Sequence, residues 1–155
     1  MKSTLIYLLI FGFTISLYLT LLSMQSTPET NIIGEWKEVS WEYEKLDSIR
    51  KYDQGFDYLV TDHIKDQISE NLIIHKAESW KFTEDETLEM QGNNVHKSLH
   101  WTLKGRGNIL QIDGLDNLTE HYEIQELSAD RLVLHFNFDM QVRGIVKMTF
   151  ERINT

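Results

Sequence analysis

From Glu78 onward, apolar residues recur at every second position in a series of short runs. Trp80 and Phe82 form the first run, then Leu88 and Met90, then Leu99, Trp101 and Leu103. Leu110 and Ile112 follow, then Tyr122 and Ile124, then Leu132, Leu134, Phe136 and Phe138, and last Val146, Met148 and Phe150. Turn signals separate most of them: Glu84-Asp85-Glu86, Gly92-Asn93-Asn94, Gly105-Arg106-Gly107-Asn108, Asp113-Gly114 and Ser128-Ala129-Asp130. A period of two over a few residues predicts half-buried β-strands. One further strand precedes this series, Ile32–Lys45, with Val39, Trp41 and Tyr43 on one face. Trp36 is out of phase with that face, which predicts a bulge or bend near Lys37-Glu38. Eight short strands with one apolar face must close or stack to protect their edges.

Two stretches break the strand period. Leu46–Lys76 is an insert of about thirty residues, longer than a hairpin loop. Its first part, to Tyr58, is polar and aromatic with Gly55 as punctuation; from Thr61 the period is helical. Val60, Ile64, Ile68 and Leu72 then share one stripe, and Thr61 or Asp62 is placed to cap a helix. The other break is Leu5–Met24, twenty residues without a charge, near the length that spans hydrocarbon as a helix. A secretory signal has a shorter apolar region and a small-x-small cleavage site. Ser23 and Ser26 are candidate cleavage points, but Leu21 and Met24, two residues before them, are large. We therefore read residues 1–27 as an uncleaved signal-anchor, with a cleaved signal peptide the open alternative, and residues 28–155 as one barrel domain. Lys2 precedes the apolar run and acidic residues follow it from Glu29, which predicts the domain on the extracytoplasmic, periplasmic side. With cleavage it would instead be secreted or periplasmic and soluble.

Charge and composition narrow the function. All 24 acidic residues lie after position 28 and the chain carries a net −9, so a nucleic-acid backbone is not an expected partner. There is no cysteine, which excludes disulfides, thiol chemistry and a cysteine-linked lipid anchor. The histidines are His63, His75, His96, His100, His121 and His135. His96 and His100 share a strand face about 13 Å apart, too far to share a metal. Asp62, Asp66 and Glu70 repeat along the predicted helix without a calcium-loop pattern, and read as a solvated face. No nucleophile elbow, phosphate loop or zinc motif is present. We expect no catalytic residue, metal or cofactor, and no enzyme activity. Asn117-Leu118-Thr119 fits the N-glycosylation triplet, a motif short enough to arise by chance.

Gly34-Glu35-Trp36, the Trp80-Lys81-Phe82 strand with its acidic turn, Tyr122-Glu123-Ile124 and the final Phe150-Glu151-Arg152-Ile153 are similar to the lipocalin-like domains of small exported bacterial proteins. The resemblance covers residues 32–153. It implies an all-β, eight-stranded antiparallel up-and-down barrel, to which the residue pattern adds a helical insert after the first strand and an N-terminal transmembrane or signal helix. It also implies that Arg152 lies across Trp36 and closes the barrel. The Thr-Asp-Tyr motif of lipocalins is absent before the seventh strand.

The resemblance and the aromatic set together point to a small apolar or lipid-like ligand. The expected lining is Trp41, Trp80, Trp101, Phe136 and Phe138, with Tyr52, Phe56 and Tyr58 of the insert over the mouth. A core filled by these same side chains is the open alternative. The competing function is a non-catalytic accessory subunit of a membrane complex, tethered through residues 5–24.

Overall fold

Period-two alternation becomes nine strands in the structure, a computed structural model that describes residues 7, 11–18, 27–45, 58–114, 117–139 and 143–153. The long strands are β1 (Gly34–Lys45), β5 (Val95–Lys104), β7 (Thr119–Leu127), β8 (Arg131–Asp139) and β9 (Arg143–Arg152). Between them lie β2 (Tyr58–Leu59), β3 (Ser79–Phe82), β4 (Thr87–Gly92) and β6 (Ile109–Asp113). Every pairing is antiparallel, and from β3 to β9 each strand pairs with the next. β1 pairs with both β3 and β9, so eight strands close into an up-and-down barrel. The apolar alternates face inward and are buried, from Trp36 and Trp41 through Leu88, Trp101 and Tyr122 to Phe150. β2 is an accessory strand of two residues. It pairs with Glu42 and Tyr43 near the end of β1, beyond the Gly34–Lys37 stretch that β3 covers.

Three sequence expectations need correction. Val39 is not a core residue: it is 53% exposed. The pairing of β1 with β9 slips between Glu38 and Ser40, so Val39 is the extra residue of a bulge. That bulge lets Trp36 and Trp41 both face inward despite an odd spacing. Ile32 does not begin the strand; it ends a short helix, α1 (Pro28–Ile32). Thr27 and Thr30 form a reciprocal cap there, and Pro28 fits the first helical turn. The insert helix, α2 (Asp62–Ser69), is shorter than its apolar stripe. Thr61 takes the cap position but makes no side-chain cap bond. Ile68 is buried, while Val60, Ile64 and Leu72 pack against the core.

One barrel end is sealed by residues far apart in sequence. The Arg152 guanidinium lies 4.2 Å from the Trp36 ring centroid. Its nitrogens donate to the carbonyls of Asn31, Ile33 and Ala129, the Ile33 bond being 2.6 Å. Trp36 is fully buried and its indole N–H donates to the Ile32 carbonyl at 2.8 Å. Gly34 explains the first letter of Gly-x-Trp. Its φ of +130° disfavours any side chain, and a Cβ there would come within 2.3 Å of Arg152 Nη1. Gly107, in the β5–β6 turn, similarly leaves room for the Pro28 ring of α1.

Truncating Arg152 should therefore strip several elements at once. Hydrogen bonds to a charged group contribute about 1.5–3 kcal/mol each. We expect Arg152→Ala to lower the unfolding free energy by about 3 kcal/mol, and Arg152→Lys to recover less than half of that. Gly34→Ala should cost about 1–3 kcal/mol through backbone strain. Urea unfolding of the three variants checks these values; an Arg152→Ala protein as stable as the parent would contradict them.

Candidate functional site

The barrel interior is built by strand phase. Inward positions of β1, β3, β5, β7 and β8 bring Trp41, Trp80, Trp101, Tyr122 and Phe136 together in one buried cluster. Their rings touch in sequence. Trp41 meets Phe136 at 5.9 Å between centroids, Phe136 meets Tyr122 at 5.6 Å, and Tyr122 meets Trp80 at 6.1 Å. Trp80 meets Phe82 at 6.3 Å and Phe82 meets Trp101 at 5.2 Å. Most of these are edge-to-face contacts, the favoured geometry of aromatic pairs. Phe138 is only partly buried and packs against the margin of this cluster. Of the mouth residues expected from the sequence, Tyr58 lies in β2 opposite Tyr43, and Tyr52 and Phe56 lie outside the described residues.

The end opposite Arg152 is covered by α2 and the turn after it, through Ala77. Ile68, Ile74 and Ala77 join the core. This segment makes no strand pairing with the wall. Three polar tethers hold it instead. Lys65 of α2 pairs with Glu38 of β1, and its ammonium also lies 5.4 Å from the Trp41 ring centroid. The Ile73 amide donates to Glu120 of β7 at 2.7 Å. The Ile73 carbonyl accepts from the Lys97 ammonium of β5. Beside these tethers a recess of about 390 Å³ reaches the inward-facing Leu99, bordered by Leu72, Ile73, Lys97, Gly114 and Leu118.

The electrostatics at this end follow from burial. Glu38 is raised above the ordinary glutamate range because desolvation outweighs its bond and attraction to Lys65; the indole of Trp41 favours its charge and nearby Glu78 opposes it. Glu120 is raised for the same first reason, against the bonds from Tyr122 and Ile73 and the charge of Lys97. The Tyr122 hydroxyl, which donates to Glu120, is pushed well above its usual value by burial and then by that carboxylate. Among the described residues no group of three metal-ligating side chains converges. In the same cap the Ser69 hydroxyl lies 3.3 Å from His75 Nδ1.

Sequence reasoning singled out the aromatic lining and missed the polar groups. Their signal was present: Glu38 is in phase with Trp36, Lys97 with Leu99 and Trp101, and Glu120 with Tyr122. A charged residue on the apolar phase of a strand marks an inward polar contact.

No protein-family model and no curated protein matches the chain. Solved structures similar to it include bovine odorant-binding protein complexed with a selenium-containing odorant. That likeness has 14% identity, covers 84% of this chain and 75% of that one, and gives a TM-score of 0.43. Bovine odorant-binding protein with its natural ligand gives 15% identity, 84% and 76% coverage, and a TM-score of 0.45. The bovine lipocalin allergen Bos d 2 gives 13% identity, 82% and 76% coverage, and a TM-score of 0.43. The chain has a lipocalin-like fold: eight antiparallel strands in up-and-down order, closed from β1 to β9, with Arg152 over the first-strand Trp36.

The raised carboxylates make a prediction about pH. A glutamate whose value is raised on folding keeps its proton in the native state after the unfolded chain has released it. Its stabilising contribution is full below the unfolded value of about 4.3 and is lost as pH rises through the native value. Glu120→Gln removes that loss. The variant should gain stability relative to the parent as pH rises from about 4 to 7, read from urea unfolding midpoints across that range. A stability difference that stays flat with pH would mean Glu120 is not held in this buried contact.

Proposed function

We propose that this protein is a non-catalytic binding protein for a small apolar or lipid-like molecule, held at the extracytoplasmic face of a membrane by residues 5–24. The observation that carries the binding reading is the asymmetry of the two barrel ends. One end is sealed by Arg152 on backbone carbonyls. The other is covered by a segment held through side-chain tethers, above a continuous aromatic wall. A cap without strand pairing opens at lower cost than a sheet edge, and so supplies a route to the interior. The recess at Leu99 supports a route that begins there.

The anchor rests on sequence. Residues 11–18 are helical, with Phe11, Phe13, Leu17 and Tyr18 exposed. Most of Leu5–Met24 lies outside the described residues, and among those described no helix is long and apolar enough to cross a membrane. The proposal is that the uncharged run continues as a spanning helix in a bilayer.

Three measurements test this reading. Native mass spectrometry of the gently purified barrel should show a small-molecule adduct, and N-phenyl-1-naphthylamine should quench or shift the tryptophan emission on binding. A barrel that takes up neither favours the accessory-subunit reading. Intact mass of the protein from its native membrane should retain residues 5–24; a mature chain beginning near Ser26 removes the anchor.

A further inference from the structure

We propose that the ligand is a neutral molecule carrying a hydrogen-bond acceptor, such as a ketone, aldehyde or ester oxygen, met by the indole N–H groups inside the barrel. This deepens the binding reading and rests on it. All four tryptophans of the chain are buried. Trp36, at the sealed end, has its N–H satisfied by the Ile32 carbonyl. Trp80 and Trp101 are 1% and 4% exposed, and neither indole nitrogen has a hydrogen-bond partner, whereas the Trp41 indole faces the Glu38 carboxylate. Buried donors are nearly always paired, so two unpaired ones in a single interior call for an explanation.

The surroundings sharpen the chemistry. The neighbours of these indoles are rings, whose faces are weak acceptors. An indole only donates, so this wall offers hydrogen bonds to an oxygen or nitrogen lone pair and none to a ligand's own donor. The interior carboxylates are committed: Glu38 to Lys65, and Glu120 to Ile73 and Tyr122. The two ammonium groups are committed as well, Lys65 to Glu38 and Lys97 to Ile73. An anionic ligand would meet two buried carboxylates, and the interior ammonium groups of Lys65 and Lys97 already have partners. A plain hydrocarbon would leave both indoles as they are. A neutral acceptor corrects the deficit without adding charge. Trp80 is paired with Trp36 in the strand register, toward the sealed end.

The test compares ligands of one shape. Isothermal titration of the full chain in detergent at pH 7 would use 2-ethylnaphthalene, 2-acetylnaphthalene and 2-naphthoate, with N-phenyl-1-naphthylamine as a reference apolar probe. We expect 2-acetylnaphthalene to bind roughly three- to tenfold more tightly than 2-ethylnaphthalene, the scale of one neutral hydrogen bond, and 2-naphthoate to bind more weakly than the ketone. Trp80→Phe and Trp101→Phe each keep a ring and remove a donor. At least one should erase the ketone preference, bringing the acetyl and ethyl compounds within about twofold of each other. Equal binding of the ethyl and acetyl compounds, or preference for the carboxylate, overturns this inference and leaves an apolar binding protein. No binding of any of the four compounds overturns the binding reading and this inference with it.

Discussion

The Arg152 guanidinium is the joint on which the barrel's closure depends. A sheet closed on itself must bring its first and last strands together. Here that meeting occurs at β1 and β9, the two strands most distant in sequence. The strand ladder alone supplies backbone bonds between them. Arg152 adds a connection to the end of α1, the start of β1 and the β7–β8 turn, while its planar face covers Trp36. A lysine has one donor group and no flat face, so it cannot serve several carbonyls and a ring together. Gly34 and Trp36 are then the two residues that accommodate this cation, one by having no side chain and one by offering an aromatic face.

The bulge at Val39 is the next consequence. With Trp36 fixed beneath Arg152 and Trp41 directed into the core, the five-residue spacing between them cannot be met by a regular strand. One residue must be passed over, and Val39 goes to solvent. The extra residue also keeps Glu38 inward, where Lys65 can reach it. A device needed for closure at one end thus supplies the anchor point for the cap at the other.

Most of the wall was legible in the sequence because a period of two is a direct readout of which side chains face inward. The strands, their turns and the aromatic lining follow from it, and the Gly-x-Trp and terminal Arg pointed to closure through a resemblance. Three kinds of feature were not legible. Val39 is apolar and in phase with Trp41 and Tyr43, and only the pairing with β9 shows that it is skipped. Ile32 looks like strand, but Thr27 and Pro28 begin a helix that ends with it. The tethers at Ile73 join a backbone amide and carbonyl to side chains of β5 and β7, and no local pattern encodes a backbone group's distant partner. Tyr52 and Phe56 lie outside the described residues, so the mouth is defined here by α2 and its turn.

The two ends differ in kind as well as in strength. At the sealed end the contacts are a guanidinium on neutral carbonyls. At the capped end they are carboxylates and ammonium groups removed from water, where desolvation offsets much of what pairing provides. Breaking such a contact exposes its charges to solvent again, so opening recovers hydration as it loses the bond. The cap is therefore held more weakly than its contacts alone would indicate, while the aromatic wall beneath it stays fixed by strand pairing. On these grounds the proposed route to the interior lies at the capped end, and an acceptor entering there would meet the unpaired indole donors.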